Sequence, residues 1–419
     1  MIFKRLRSGA LQFTVFIAVL IALLLSGMIL YAYTLGYFKQ QSKASIENLQ
    51  LANNGIASLL YQEKISTDTA KVQLREHGFL SESYLSQWGS FQKAFVRTSN
   101  RKKVFEKVAL ISGIFNAKTS PTLCLKENYN PLTVVGQTII KGNVFLPSQG
   151  VKPGYINGNS FYGGQLINGT VKVNGPKLPE FNVDFIKVLK GYFTTNQPSE
   201  PIGNLIQGIH SNSFRKATRL LYSNSEIIID NVSVTGNFIL KSDKVVHVKA
   251  SAKLKDIIII APEVIIDDNV KGCFQVIASR TIRIGRGAEL EYPSALVLIN
   301  DNAVSDSNEN EAILQLAENA IVNGNVCFLK QYEQMSNFRT NVLFEKGVRV
   351  TGHVFCNGNL EIRGKISGAA FVNQFVVNEA GSVFVNHINN GTIENVTIPE
   401  IYSGLLFAKQ KKGVVKWLY

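Results

Sequence analysis

The chain has 419 residues, of which 45% are hydrophobic, enough to bury one large core or two smaller ones. Lys and Arg number 44 against 30 Asp and Glu, and the net charge of +14 suits anionic lipid headgroups, acidic glycans or nucleic acid. The densest basic clusters, Arg101–Lys103 and Lys409–Lys412, lack the interleaved aromatic residues of a single-strand binding surface, so we expect no nucleic-acid partner.

The first predicted element is a transmembrane helix. No charged residue occurs from Ser8 to Phe38. This length exceeds the roughly 20 residues that cross a bilayer as a helix and the apolar region of about 7–15 residues in a secretory signal. No small-x-small cleavage site clearly ends the segment, so we predict a retained anchor. We assign a cytoplasmic tail to residues 1–10 and the transmembrane helix to 11–35, with the lipid bilayer as a partner.

Basic residues flank this segment unequally. Lys4, Arg5 and Arg7 crowd the N-terminal tail, whereas Lys39 and Lys43 are more widely spaced on the other side. The positive-inside rule therefore predicts a cytoplasmic N-terminus. We expect a single-pass protein of the bacterial inner membrane whose C-terminal domain is periplasmic or otherwise extracytoplasmic.

The N-terminus also carries a possible processing signal. A short basic leader ends in Arg7-Ser8-Gly9 and is followed by the long apolar helix. This arrangement resembles a minor pilin or pseudopilin, a family in which a glycine precedes the cleavage site. A glutamate usually lies five residues beyond it; Thr14 stands there in this chain, and some tip-located members lack the glutamate. The resemblance implies a subunit of a filament or secretion machine, cleaved after Gly9.

Residues 36–121 are predicted to form a helical stalk and membrane-proximal region, because Gly and Pro are scarce there. Apolar positions at 3-4-3-4 spacing predict one buried helix face, formed by Ile46, Leu49, Asn53, Ile56 and Leu60. Ser66–Asp68 is expected to cap a second helix. A third apolar stretch covers Phe91–Phe115.

From about Thr122 the pattern changes to short β-branched runs bounded by Gly, Asn and Asp. A polar-Gly-polar-apolar quartet recurs around Gly142, Gly169, Gly236, Gly324 and Gly352. Stacked units of this kind bury a continuous core, so we predict a parallel β-helix-like domain over residues 122–419. An antiparallel β-sandwich stays open, because Asn-Gly dipeptides such as Asn157-Gly158 and Asn390-Gly391 also suit hairpins. The fold class is thus mainly β with N-terminal α.

The late repeats carry a second resemblance. The stretch Gly352–Val383, with Leu360–Ile366 inside it, has strands of the form V-x-G-x-V and L-x-I-x-G-x-I. It resembles the repeats of bactofilins, small polymerising scaffold proteins whose strands wind into a β-helix. The resemblance implies a scaffold role. Unpaired strand edges at the two ends of such a domain invite self-association.

Side chains for catalysis or metal binding are not concentrated in any motif. The carboxylates considered for polysaccharide cleavage are Asp230, Asp256, Asp267, Asp268, Glu289 and Glu291. Adjacent strand residues point to opposite faces, so we expect Asp267-Asp268 to cap a turn. The acidic stretch Asn300–Glu311, with Asp301, Asp306, Glu309 and Glu311, lacks the glycine and final glutamate of a calcium loop, and we expect a solvated loop.

Histidines and cysteines are equally scattered. The five histidines are His77, His210, His247, His353 and His387, with no metal-site spacing between any two. His353 occupies a repeat slot otherwise filled by Asn or Thr, which predicts an outward-facing turn residue. The four cysteines, Cys124, Cys273, Cys327 and Cys356, form no CxxC and are expected to be buried. Cys327 with Cys356 is the pair to test for a disulfide.

We therefore predict no catalytic, cofactor-binding or metal-binding residues and no cofactor. The expected function is that of a membrane-anchored, non-cytoplasmic structural, scaffold or surface-assembly protein of the cell envelope. Two alternatives stay open. One is a glycan-binding or glycan-cleaving β-helix module, and the other is the minor-pilin-like subunit. Expected partners besides the lipid bilayer are envelope proteins or glycans and further copies of the chain.

Overall fold

The computed structural model describes residues 8–62, 72–76, 78–100, 103–173, 177–194, 198–204, 208–300, 312–330, 338–395, 398–399 and 401–418. Within them the protein is mainly β, with one long apolar helix near the N-terminus. Several predictions fall outside these residues, namely those on Lys4, Arg5, Arg7, His77, the cap at Ser66–Asp68 and the acidic residues from Asp301 to Glu311.

The helices are α1 (Ser8–Tyr61) and α2 (Val183–Thr194), with a 3-10 turn at Ile202–Asn204. The early strands are β1 (Val72–Glu76), β2 (Phe79–Trp88), β3 (Phe91–Asn100), β4 (Lys103–Asn116), β5 (Leu123–Leu125), β6 (Leu132–Val135), β7 (Ile139–Leu146), β8 (Val151–Pro153), β9 (Tyr155–Ile156), β10 (Asn159–Ser160) and β11 (Asn168–Val173). The middle strands are β12 (Glu200–Pro201), β13 (Gly208–Asn212), β14 (Arg219–Ser223), β15 (Ile227–Ile229), β16 (Val232–Gly236), β17 (Phe238–Ser242), β18 (Val245–Val248), β19 (Lys253–Ile266), β20 (Lys271–Ile284) and β21 (Glu289–Asn300). The late strands are β22 (Ile313–Leu316), β23 (Ile321–Lys330), β24 (Val342–Phe344), β25 (Arg349–Ile362), β26 (Lys365–Glu379), β27 (Ser382–Val385), β28 (His387–Asn389), β29 (Thr392–Glu394), β30 (Ile401–Gly404) and β31 (Lys412–Leu418).

The chain divides into two compact units. The first contains α1 up to Ala57, β1 and the strand residues 79–83, 96–100 and 103–107. The second contains the strand residues 84–88, 91–95 and 108–116 and everything that follows. The three strands β2, β3 and β4 therefore each contribute one part to each unit.

In the first unit, α1 changes character along its length. An 18-residue apolar window near its N-terminal end has no buried residue, whereas Asn48, Ala52 and Ile56 further on are buried. The hydroxyl of Thr98 on β3 donates to the carbonyl of Asn48 at 3.0 Å, and Lys107 Nζ on β4 donates to Asn53 Oδ1 at 2.5 Å. One half of the helix is thus exposed and apolar, and the other half packs on strands.

Two predictions for this region are wrong in part. Of the predicted face, Ile56 is buried, but Ile46 and Leu49 are 58% and 45% exposed, and the buried face runs through Asn48 and Ala52 instead. Helical structure is confirmed as far as Tyr61, but Val72–Glu76, Phe79–Trp88, Phe91–Asn100 and Lys103–Asn116 form strands β1 to β4. The signals that were missed are the glycines at the turns, since Gly78 and Gly89 both have positive φ.

In the second unit, the end of β4 pairs antiparallel with both C-terminal strands. Ser403 on β30 lies opposite Ile114, and Trp417 on β31 lies opposite Ala109. The alternating apolar and polar residues near the C-terminal end form strand β31 over Lys412–Leu418. This strand belongs to the antiparallel sheet of β4 rather than to the parallel coils.

The remainder of the second unit is a stack of parallel coils, consistent with the predicted β-helix-like domain. Strand β19 pairs in parallel with β20, β20 with β21, β21 with β23, β23 with β25 and β25 with β26. This contradicts the antiparallel sandwich. Asn157-Gly158 does form the hairpin β9–β10, but Asn168-Gly169 and Asn323-Gly324 lie within parallel strands.

The order of the coils does not follow the chain. After β26 the stack continues through β5 and β29, then β7 and finally β11, so early strands complete the stack that late strands build. At the opposite end, β13 pairs with β16 and β14 with β17. The number of residues per coil varies as well, because a residue and its partner in the next coil are separated by one full coil. The chain runs from Arg349 to Lys365 in one coil but from Glu289 to Ile321 in another. Unequal coils explain why the repeat is weak in the sequence.

The recurring glycines stack directly on one another. Gly142 pairs with Gly169, and Gly324 pairs with Gly352, which pairs in turn with Gly368. A Cβ on Gly324, Gly352 or Gly368 would lie closer than 3.0 Å to the carbonyl oxygen of the residue stacked beneath it. The quartet spacing in the sequence therefore marks a column in which no side chain fits between coils.

Side chains alternate between two apolar clusters along each coil. Ile257 and Ile259 belong to the cluster inside the coils, which also takes Phe274 and Phe328. Ile258 and Ile260 belong to an outer cluster that includes residues of α2. Both faces of these strands are apolar, as expected of parallel strands that are covered on both sides. Each fully buried Ile or Phe contributes about 1.5–3 kcal/mol.

Candidate functional site

The carboxylates considered in the sequence serve separate structural contacts. Lys416 Nζ lies 2.6 Å from Asp256 Oδ1, Lys249 pairs with Asp267 at 3.1 Å, Lys271 pairs with Glu289 at 3.1 Å, and Ser251 donates to Asp230. Asp268 Oδ1 accepts the backbone N–H of Arg286 at 2.7 Å, the turn cap that was predicted. Glu291 offers its backbone carbonyl to Ser294. Asp256 and Glu291 both lie close enough to Cys273 to raise the pKa of its thiol, whereas the other four carboxylates make separate contacts, so the six do not form one site.

His353 is placed differently from its prediction. It is fully buried rather than at an outward-facing turn, and its ring centre lies 3.9 Å from that of Phe115 and 5.2 Å from that of Tyr402. Nδ1 accepts the backbone N–H of Leu405 at 3.1 Å. Burial lowers the pKa of His353 to about 3, so the ring is neutral. The C-terminal segment that contains Leu405 covers it, which the repeat pattern could not reveal.

The other described histidines occupy unrelated positions. His247 Nε2 lies 3.2 Å from Glu226 Oε1, and His387 Nδ1 lies 2.6 Å from the carbonyl of Val385. His210 lies in β13, at the far end of the coils. Within the described part of the chain, no group of three His, Cys, Asp or Glu residues is arranged to hold a metal ion.

All four cysteines are buried, as predicted, and none forms a disulfide. Cys327 pairs with Phe355 in the strand register, whereas Cys356 pairs with Phe328. Their side chains therefore point to opposite faces of the sheet: Cys327 joins the outer cluster and Cys356 the inner one. Burial raises the pKa of Cys273 to about 11 and also raises those of Cys327 and Cys356. These thiols are structural.

The chemically distinctive surface is a polar groove of about 1120 Å³ on the late coils. Its charged lining residues are Glu318, Glu345, Glu361, Glu379, Lys346 and Arg363. Its amide, hydroxyl and aliphatic lining residues are Gln137, Asn159, Asn378, Asn389, Asn390, Thr340, Thr392, Ile139 and Leu343. None of these lining residues is aromatic. We call this surface the polar groove.

Glu361 is the most buried charged residue that lines the groove. Its side chain is 4% exposed, and Arg363 Nη2 donates to its Oε1 at 2.7 Å. Its Oε2 accepts from Thr340 Oγ1 and from Asn378 Nδ2, both at 3.0 Å. A buried carboxylate with both oxygens satisfied is held in one orientation. Glu361 therefore fixes the wall of the groove rather than offering a reactive group.

The other carboxylates are more accessible. Glu345 Oε1 accepts from Gln315 Nε2 at 2.6 Å, and its Oε2 accepts the backbone N–H of Glu318 at 3.1 Å. Glu379 Oε2 accepts from Asn389 Nδ2 at 2.9 Å. Both side chains are half-buried, and Glu318 is exposed. Glu318 and Glu345 lie at turns between parallel strands, whereas Glu379 ends β26 and pairs with Ser382 in an antiparallel hairpin.

Sequence reasoning missed the groove because its carboxylates come from separate coils. A usable signal exists, because each of the three exposed or half-buried glutamates lies one or two positions before a residue with positive φ. Asn319 follows Glu318, Gly347 follows Glu345 by two positions, and Ala380 and Gly381 follow Glu379. Residues that occupy equivalent corners of successive coils lie above one another. The spacing in sequence hides this, since the coils differ in length.

No family model, curated protein sequence or solved structure matches this chain.

Proposed function

We propose that the protein is a membrane-anchored structural or surface-assembly component of the cell envelope, with its β domain on the non-cytoplasmic side of a bacterial inner membrane. The continuous helix α1 carries the proposal. Exposed apolar side chains fill its N-terminal half, and transfer of each large one from water to lipid is favourable by about 1.5–3 kcal/mol. The same helix continues without a break into the half that packs on strands.

The ends of the coil stack support an assembly role. All six residues of β11 are exposed, with Val171 at 52% and Val173 at 69%. At the other end, Ile209 on β13 is 87% exposed. Exposed strand edges with apolar side chains favour pairing with another chain. We propose that these two ends take envelope proteins or further copies of the chain.

Topology is tested by thiol labelling in cells. Tyr162 is 66% exposed in the second unit, and the native cysteines are buried. In a Tyr162→Cys variant, a membrane-impermeant maleimide should label the introduced thiol once the outer layer is permeable, while the native sequence stays unlabelled. Labelling only after the inner membrane is broken would place the β domain in the cytoplasm and refute the proposal. A C-terminal tag attacked by protease under the same conditions gives an independent readout.

The minor-pilin-like function is a second candidate, favoured by the placement of Gly9. It lies in α1 with no atom close to the position of a Cβ. Because α1 is one helix from Ser8 to Tyr61, cleavage after Gly9 would leave nearly the whole helix for packing against other subunits. The intact mass of the purified protein shows whether the N-terminus is processed. Loss of residues 1–9 supports a processed subunit, and an intact Met1 contradicts it.

Glycan binding is favoured by the polar groove. Amides, hydroxyls and carboxylates line it, and such groups hydrogen-bond to sugar hydroxyls. Since Glu361 has both oxygens occupied, we propose binding rather than cleavage. Full-length protein in detergent micelles should bind neutral oligosaccharides, and Gln137→Ala, at an exposed groove amide, should weaken binding. Tyr129→Ala, at an exposed residue outside the groove lining, is the matched control. Equal binding by both variants would contradict the proposal.

A further inference from the structure

The coil stack ends at β11 with its interior open. Val171 and Val173 lie in register with Val144 and Leu146, which belong to the apolar cluster inside the coils. The two valines of β11 therefore occupy inward-facing positions, yet they are 52% and 69% exposed, because no described strand lies beyond β11. Apolar surface that the next coil would cover is left in water at this end.

The edge of β11 is also open for backbone pairing. Among the described strands, β11 pairs with β7 alone. A strand that is paired on one side presents a row of backbone N–H and C=O groups on its other side. All six residues of β11 are exposed, so no side chain among the described residues shields this row. The edge can therefore accept a further strand.

The opposite end of the stack is closed by charged side chains. Arg219 lies opposite Phe238 of the inner cluster, and its guanidinium carbon is 5.2 Å from the centre of that ring. Arg219 Nε donates to Glu200 Oε1 at 2.9 Å, and Glu200 lies opposite Leu221 of the same cluster. Terminal repeats with a polar outer face cap stacks of this kind. The two ends thus differ, and β11 is the end that a further strand would extend.

The charge of the last coil indicates which strand suits this edge. Lys152 and Lys172 are the only charged residues from position 151 to position 173, and both are exposed. The side chain of Lys172 lies on the outer face of β11, with its Nζ 5.8 Å from the centre of the Phe145 ring. A second copy bound end to end through β11 would bring the same two lysines and no carboxylate to the contact. Carboxylates beside these lysines are favourable, whereas like charges are not.

We propose that the open edge of β11 takes an extended segment of a partner protein in which apolar residues alternate with acidic ones. The apolar side chains cover Val171 and Val173, the acidic ones lie beside Lys172, and the backbone of the segment pairs with β11. Side chains alternate between the two faces of a strand, so this pattern follows from the register of β11. The inference rests on the proposed assembly function and names the chemistry of its partner.

Peptide binding to the full-length protein in nanodiscs of zwitterionic lipid tests the inference. The probe is a short fluorescein-labelled peptide in which valine alternates with glutamate. By fluorescence anisotropy, we expect it to bind about tenfold more tightly than a valine–lysine peptide at low salt, and the difference should shrink as salt is added. A valine–glutamate peptide with a central proline should not bind measurably, because proline cannot donate to the ladder. Empty nanodiscs correct for partitioning of each peptide into lipid.

Variants locate the binding at β11. Val173→Asp should weaken binding of the valine–glutamate peptide about tenfold, since a carboxylate then meets apolar side chains. Lys172→Glu should reverse the preference, so that the valine–lysine peptide binds more tightly. Val383→Asp is the matched control, because Val383 is a 45% exposed strand valine that pairs with Asn378 in the hairpin of β26 and β27. Retained tryptophan fluorescence identifies the variants that are folded.

The outcomes separate the inference from the function beneath it. Peptide binding that is unchanged in both Val173→Asp and Lys172→Glu would lie elsewhere on the protein and overturn the inference. A dimer in sedimentation velocity that Val173→Asp dissociates would make a second copy the occupant, which also overturns it. If no peptide binds, the inference fails alone when a photoreactive maleimide on Ile209→Cys still crosslinks to a neighbour in cells. Absence of crosslinks from both Val171→Cys and Ile209→Cys would overturn the assembly function as well.

Discussion

Replacement of Gly324 tests the stacked-glycine column directly. In Gly324→Ala, the residue keeps φ at +149°, a conformation that glycine alone adopts readily and that disfavours an L-amino acid by about 1–3 kcal/mol. The added Cβ also meets the backbone carbonyl of Ser294, so the coils must separate locally, which overpacking data put at about 1–3 kcal/mol. The lower conformational entropy of the unfolded variant offsets about 0.4–1 kcal/mol of this destabilisation. We expect a net loss of about 2–4 kcal/mol.

Two other glycines separate the contributions. Gly381 has φ of +76° but nothing within 4 Å of its Cβ position, so Gly381→Ala carries the conformational strain alone. Gly203 has neither a positive φ nor a neighbour within 4 Å of its Cβ position, and Gly203→Ala should be neutral or slightly stabilising. Urea unfolding followed by tryptophan fluorescence reports on the second unit, which contains both Trp88 and Trp417. If Gly324→Ala destabilises no more than Gly381→Ala, the stacking argument is wrong.

Three further predictions follow from buried polar groups. The pKa of His353 is about 3 in the folded protein and near 6.5 in the unfolded chain, so the stability that it contributes is complete above pH 6.5 and is lost as the pH falls towards 3. In His353→Gln, the free energy of unfolding should therefore depend less on pH between 6.5 and 3. An unchanged pH dependence would argue against burial of the ring. Lys416→Ala leaves the Asp256 carboxylate, which is 11% exposed, without its cation and should lower the free energy of unfolding by about 2 kcal/mol. A double-mutant cycle with Asp256→Asn measures the coupling between the two side chains. If the effects of the two substitutions simply add, the contact is contradicted. The native thiols should resist an aromatic disulfide reagent until urea unfolds the chain, whereas fast reaction of the folded protein would contradict their burial.

The repeat was predictable at positions where the backbone geometry requires glycine. Gly142 with Gly169, and Gly324 with Gly352, were recognised as equivalent positions, and the structure pairs them in register. Positive φ and close backbone approach admit only glycine there, so the residue type records the contact. The N-terminal apolar helix was equally visible, because its composition alone predicts it.

Other features depend on residues that are distant in the sequence. The strands from Phe79 to Asn116 were predicted as helix, since pairing between strands outweighs weak local preference. His353 is buried because Leu405 and Tyr402 lie over it, which no repeat unit encodes. The polar groove draws its acids from coils of unequal length. Each failure concerns a contact made by a neighbouring element rather than by the segment itself.

The permuted coil order has a consequence for biosynthesis. Leu123 on β5 finds its ladder partner at Ala370 on β26, and Ile139 on β7 finds Thr392. A ribosome therefore delivers β5 and β7 long before these later neighbours exist, and closure of such long loops is slow. If the β domain crosses the membrane as it is made, β5 and β7 can pair with each other on the far side but must wait there for β26 and β29. Truncation before residue 370 should leave one side of these strands unpaired and exposed to proteases.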